Sequence, residues 1–281
     1  MDMNQPMRPP GGGDPLADPS VAEFAEQHTQ QVNEMAQSEL TPPEPPTPQL
    51  EVLHVDLPVG LDHPQRGRIT TAEVRELNGE DEEYFLKGRE LWHRQTRLLE
   101  RGVLTLGGEK PDTQTLRALA QADRLTLMHH IRRATYGDEL RLGITCTACG
   151  EDQRILIDLA KEVDIKEAKP TFEVELRKGG SAVGRWPTGE DEEAVMGLVT
   201  QGNDVNIGEV NTKMLGRILE TVNGEPAMAD VTALQMNMGD RQRVIDHLTE
   251  NMPGPDYALD YACSKCRRSA RLEVSFGDLF R

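Results

Sequence analysis

The chain has few aromatic residues, 4% of its 281 positions, so it offers few rings on which nucleic-acid bases could stack. It is short of basic residues. Lys and Arg total 31 against 48 Asp and Glu, a net charge of −17, and so acidic a chain is repelled by phosphate backbones. No apolar run reaches the roughly 18 residues that a membrane span needs. The N-terminus lacks the basic and apolar regions of a secretory signal, so a reducing cytoplasm is the expected setting. No phosphate-binding glycine loop is present, since Gly107-Gly-Glu-Lys110 lacks the required spacing. Nor does any Ser-His-Asp or Cys-His arrangement suggest itself. The sequence gives no reason to expect an enzyme.

Cysteine is also scarce, and its placing is informative. The only four form two pairs, Cys146-Thr-Ala-Cys149 and Cys263-Ser-Lys-Cys266. In a reducing compartment, paired cysteines point to metal or redox chemistry rather than structural disulfides. Each pair between two strands reads as a zinc knuckle, half of a tetrahedral site. Together the pairs supply the four thiolates of one closed, structural Zn²⁺ site. A thioredoxin-like redox pair would instead need a Cys at a helix N-terminus after a strand. A third reading is four buried cysteines without metal.

From about residue 50 the chain looks duplicated. Gly79-Glu-Asp-Glu-Glu83 recurs as Gly189-Glu-Asp-Glu-Glu193, Asp123-Arg124 as Asp240-Arg241, the first Cys pair as the second, and Asp158-Leu159 as Asp278-Leu279. The offsets are 110, 117, 117 and 120 residues. The expected fold is α+β: two tandem strand-helix-strand repeats, residues 50–165 and 166–281, joined by a shared four-cysteine zinc ribbon and related by a rotation near two-fold. Alternating apolar residues open each half as strands, at Leu53, Val55, Leu57 and at Phe172, Val174, Leu176.

The acidic blocks read as helix starts, where carboxylates meet the positive end of the dipole and Thr188 serves as an N-cap. The first helix is expected to run to Gly102 as its C′ glycine, with Phe85, Trp92 and Leu99 on one face. Further helices are expected near 114–120, 123–134, 210–220 and 240–250, with Asp123 and Asp240 as N-caps. Strands should flank each knuckle, at 142–145 and 155–157, and at 257–262 and 272–276. His129 and His130 are adjacent on a helix and point different ways, so they do not form a one-face ligand pair.

Residues 1–49 differ from the rest. They carry eight acidic and one basic side chain, and Thr41–Pro48 holds five prolines. This composition predicts a disordered, Pro-rich arm. Within it, residues 20–40 read as an amphipathic helix, with Ser20 and Glu23 as a capping box. Val21, Phe24, Val32 and Met35 lie on its apolar face and are candidate partner-binding residues. The helix docks on another chain, packs on its own body or stays mostly unfolded.

The run Glu73-Val-Arg-Glu-Leu-Asn-Gly-Glu-Asp-Glu-Glu83, Asp123-Arg124 with Ile131-Arg-Arg-Ala-Thr-Tyr-Gly-Asp138, and Cys146-Thr-Ala-Cys-Gly150 with Ile157-Asp-Leu159 resembles the baseplate hub and hub-assembly proteins of T-even-like contractile-tailed phages, with relatives in other contractile injection systems. The resemblance covers roughly residues 67–195, and more loosely the second Cys pair. It implies a non-enzymatic hub component or tail-assembly chaperone. Its partners would be hub, spike or tape-measure proteins. It would work in the host cytoplasm during assembly and then, in one version, in the virion baseplate. The competing expectation is a zinc-ribbon regulator that touches nucleic acid through Arg267, Arg268 and Arg271.

Overall fold

The computed structural model describes residues 51–200 and 205–280. The segment carrying Val21, Phe24, Val32 and Met35 lies outside the described residues. The rest is mixed α+β, and among the described residues no helix is long and apolar enough to cross a membrane.

Strands β1 (Val52–His63) and β2 (Gly67–Arg75) form an antiparallel hairpin, and β3 (Val103–Leu106) pairs with the far side of β2. Alternation sends Val55 and Leu57, then Ile69, Ala72 and Val74, into one core. Helices α1 (Gly79–Leu86), α2 (Leu91–Gly102), α3 (Thr113–Ala118) and α4 (Gln121–Tyr136) cover that face. Leu98, Leu99, Leu116, Leu127, Met128 and Ile131 close the core with side chains at most 1% exposed. A hairpin of β4 (Glu139–Thr145) and β5 (Asp152–Asp158) follows and carries the first Cys pair in its turn.

After the short β6 (Ile165–Lys166), the same order of elements is met again. Strands β7 (Thr171–Glu175) and β8 (Ser181–Arg185) are followed by α5 (Gly189–Thr200), α6 (Ile207–Ile218) and β9 (Leu219–Val222). Next come β10 (Glu225–Pro226), α7 (Ala229–Gln235), α8 (Met238–Glu250) and β11 (Gly254–Pro255). The hairpin of β12 (Ala258–Ala262) and β13 (Ser269–Glu273) carries the second Cys pair, and α9 (Phe276–Leu279) ends the described chain. In this half β8 sits between β7 and β9, as β2 sits between β1 and β3. Both middle strands shift register against their third strand, at Glu73/Val74 and at Val183/Gly184. A second core gathers Phe172, Trp186, Leu215, Ile218, Val244 and Leu248. A third lies beneath the two Cys hairpins and joins Leu140, Ile157 and Leu159 to Val274 and Leu279.

Several local expectations need correction. The stretch from Gly79 to Gly102 is two helices, not one. The chain turns at Gly88, where a Cβ would stand 2.9 Å from the Arg94 backbone nitrogen, and Arg94 Nε donates to the Gly88 carbonyl at 2.8 Å. Gly102 is the last residue of α2 rather than a left-handed cap. It lies against Ile131, where a side chain would collide. Asp123 and Asp240 are not N-caps. Ala120 occupies the first N-cap, and Asp123 instead accepts from the Val59 and Gly60 N–H groups at 2.8 and 3.0 Å. Those donors lie where β1 slips register between Asp56 and Leu61, so the carboxylate satisfies groups that the ladder leaves over. Asn237 caps α8, and Asp240 accepts from the Arg177 N–H at 2.8 Å. The last strand stops at Glu273, because Ser275 and Asp278 form a capping box that starts α9.

Candidate metal centre

The two Cys turns share one backbone design. In the first, the Cys146 N–H donates to the Glu151 carbonyl at 2.8 Å, and the Gly150 N–H returns to the Cys146 carbonyl at 2.9 Å. In the second, Cys263 N–H reaches the Arg268 carbonyl at 3.0 Å, and Arg267 N–H returns to the Cys263 carbonyl at 2.9 Å. The fifth residue of each turn is left-handed, at Gly150 (φ 72°) and Arg267 (φ 60°). Glycine enters this region without cost, whereas Arg267 is held there by the knuckle.

This geometry aims backbone donors at sulfur. Ala148 and Cys149 N–H groups hydrogen-bond the Cys146 sulfur and lower its thiol pKa. Cys266 and Lys265 N–H groups do the same at Cys263, which falls to about 6. At Cys149 the Glu151 N–H pulls the value down. Burial and the neighbouring Cys266, Cys146 and Cys263 sulfurs push it further the other way, to about 12. The sulfurs therefore compete for protons, as thiols do when they crowd one point.

That point is shared by both halves. The Cys146 and Cys266 sulfurs are 3.8 Å apart, and those of Cys149 and Cys263 are 3.7 Å apart. All four lie within 4.8 Å of one another. These distances are far beyond the ~2.05 Å of a disulfide, and all four cysteines are free. A tetrahedral ion with arms of about 2.3 Å has ligand–ligand edges of roughly 3.8 Å, so the cross-knuckle spacings suit one ion. Among the described residues, these four are the one cluster of His, Cys, Asp or Glu able to hold a metal. Cys146 and Cys263 are buried, at 5% and 1% exposure, while Cys149 and Cys266 face solvent. The knuckles are also tied directly: Lys265 Nζ pairs with Glu151 at 2.7 Å, and the Ser264 N–H donates to Gln153 at 2.9 Å.

The other candidate groups are engaged in structural contacts. Within the acidic blocks, Asp81 is gripped by both terminal nitrogens of Arg75 at 2.8 and 2.9 Å, and Asp191 by those of Arg185 at 2.5 and 3.1 Å. Arg117 holds Glu193 at 2.7 Å. His129 is buried against the Tyr257 hydroxyl at 2.9 Å, and His130 Nδ1 meets the Thr126 carbonyl at 2.9 Å. Arg267, Arg268 and Arg271 are exposed beside the second knuckle. Sequence reasoning passed over Arg75 and Arg185. An arginine six residues before the aspartate, in both copies of the acidic block, was the available signal.

The sequence pattern of the T4 bacteriophage base plate proteins matches residues 67–280, which takes in both Cys pairs and both acidic blocks. The chain belongs to this family and is a phage baseplate protein. The match extends past residues 67–195, which carry most of the resemblance, through the second Cys pair to residue 280. Comparisons with curated proteins and with solved structures returned no match.

Proposed function

We propose that the chain is a non-enzymatic baseplate hub component or hub-assembly chaperone, built as two tandem repeats that one zinc ion fastens together. The baseplate role rests on the family match, and the fastening on the sulfur cluster, in which four sulfurs from residues 146–149 and 263–266 lie within 4.8 Å of one another and the two cross-knuckle spacings suit one ion. Four thiolates leave no open coordination position, so bound Zn²⁺ would supply a rigid cross-link rather than a reactive centre. The repeat reading is supported by the two bidentate Arg–Asp grips and by the recurring element order.

A rigid body suits a scaffold that presents binding surfaces to hub, spike or tape-measure proteins. In this reading the helix at 20–40 reaches a partner with Val21, Phe24, Val32 and Met35. Affinity-tagged chain recovered from assembling tails should bring hub, spike or tape-measure proteins with it. Mass spectrometry of finished particles then separates a resident component from a chaperone that departs. Recovery of the chain with no tail protein at any stage of assembly would overturn the role.

A further inference from the structure

One surface of the second half is open where its counterpart in the first is covered. In the first half, α2, α3 and α4 build a shelf around Arg124. Its Nη1 donates to the Leu116 carbonyl at 2.9 Å and its Nη2 to the Thr96 hydroxyl at 3.0 Å. In the second half, α6, α7 and α8 build a shelf around Arg241. Its Nη1 donates to the Ala233 carbonyl and its Nη2 to the Thr212 hydroxyl, both at 2.9 Å. These two contacts correspond, and Arg241 Nη2 also reaches the Gly208 carbonyl at 3.1 Å.

The first shelf is occupied by the start of α5. A Cβ on Gly189 would stand 2.7 Å from the guanidinium carbon of Arg124, so the glycine lies flat upon it. The Gly189 N–H donates to the Leu119 carbonyl at 3.2 Å, and the Gln121 N–H to the Pro187 carbonyl at 2.7 Å. Glu193 is held by Arg117 at 2.7 Å and by the Thr96 hydroxyl at 3.4 Å. Arg124 is 0% exposed as a result.

The second shelf has no such cover among the described residues. It is an open cavity of about 710 Å³ whose lining includes Thr212, Leu234, Met238, Arg241 and Ile245. Met238 is 86% exposed and Leu234 66%. The block that matches Gly189–Glu193 in sequence is Gly79–Glu83, at the start of α1. There Gly79 is exposed, and a Cβ on it would meet nothing within 4 Å. A rotation near two-fold would have given each shelf a cover from the opposite half, but here only one of the two contacts is made.

We propose that the Gly79–Glu83 helix start of one copy docks on the open Arg241 shelf of a second copy, repeating between chains the contact that Gly189–Glu193 makes within one. The inference rests on the two-repeat reading above. Such a contact is heterologous: each copy has one plug and one shelf, so copies add head to tail. Leu234 and Met238 stand where the first shelf has Arg117 and Gln121, which makes the second shelf the more apolar. Arg241 offers a cation to the arriving carboxylates, while Glu209 and Asp230 on the shelf oppose them. Added salt should therefore strengthen the association by screening these carboxylates and the overall negative charge.

The test is sedimentation velocity of the full chain across a wide concentration range. The wild type should form dimers and then longer species. Gly79→Leu spoils the plug at a position with free space around it in the monomer. Met238→Glu spoils the shelf at an exposed helix start that tolerates acid. Each variant alone should stay monomeric. Their equimolar mixture should form dimers and nothing longer, since each retains the surface that the other lacks. A wild type that remains monomeric at the highest concentration overturns the proposal, whether the shelf is bare or filled by residues 1–50. So do single variants that assemble like the wild type. Gly189→Leu separates the two readings. If it leaves stability unchanged, the contact within the chain and the repeat reading built on it fail. If it destabilises a chain that never associates, only the present inference fails.

Discussion

Asp191 has no exposed surface, and Arg185 closes on it through both terminal nitrogens, at 2.5 and 3.1 Å. Arg217 Nε adds a third contact at 2.7 Å, and the Thr188 N–H a fourth at 2.9 Å. Burial raises the carboxyl pKa, but the Arg185 hydrogen bonds, the Thr188 N–H and Arg217 together outweigh it and hold the value below the ordinary 3.8. A group depressed in this way contributes stability above its unfolded value, and loses it as pH falls through the folded value. Asp191→Asn should cost about 3 kcal/mol at neutral pH, because it leaves buried donors facing an amide. The gap from wild type should narrow below pH 3.8. Urea unfolding of both proteins across acid pH checks this, and a gap that stays constant would show that the carboxylate charge is not what matters.

The zinc proposal makes the two knuckles equal. Cys146→Ser and Cys263→Ser should each abolish stoichiometric zinc and lower stability by a similar amount, since either removes one ligand from the same ion. Metal analysis of purified chain should return one zinc per molecule. Two ions per chain, or one knuckle retaining full metal without the other, would rule out the shared site.

His129 gives a second pH dependence with a different window. Burial lowers its pKa from 6.5 to about 3, with His130 and Arg133 adding to the effect. The neutral ring is therefore favoured by folding. The stability it supports is complete above 6.5 and declines as pH falls toward 3, by at most about 1.4 kcal/mol per pH unit. His129→Gln should lower stability at neutral pH through loss of the Tyr257 contact, yet flatten the decline across this window. An unchanged slope in chemical denaturation would assign the acid sensitivity to other groups.

For the arm, Phe24→Ala should weaken recruitment to assembling tails while zinc content and body stability remain as in the wild type. A handful of buried apolar anchors carries most contacts of this kind. Unimpaired assembly after deletion of residues 1–40 would remove the arm from the mechanism.

The parts of this molecule that follow local rules were legible in the sequence. The Cys pairs and the acidic helix starts are short motifs whose spacing carries its own physical reason. What escaped was set by contacts distant in sequence. The apolar series Phe85, Trp92, Leu99 runs straight across the break at Gly88, so periodicity joined two helices into one. Asp123 looks like a cap because it precedes an apolar helix. Its real partners, Val59 and Gly60, are more than sixty residues away and became donors only because β1 slips register. Gly189 looks like any residue at a helix start until Arg124 is found beneath it.

The sulfur cluster also changes the topology of the chain. With a metal on Cys146, Cys149, Cys263 and Cys266, the whole stretch from 149 to 263 becomes a closed ring. Closing a loop of that length removes roughly 4–5 kcal/mol of disorder from the unfolded ensemble. Tension applied to the two ends would pass along the backbone from one knuckle to the other through the metal, and the backbone of the ring would be drawn out only after the metal–sulfur bonds give.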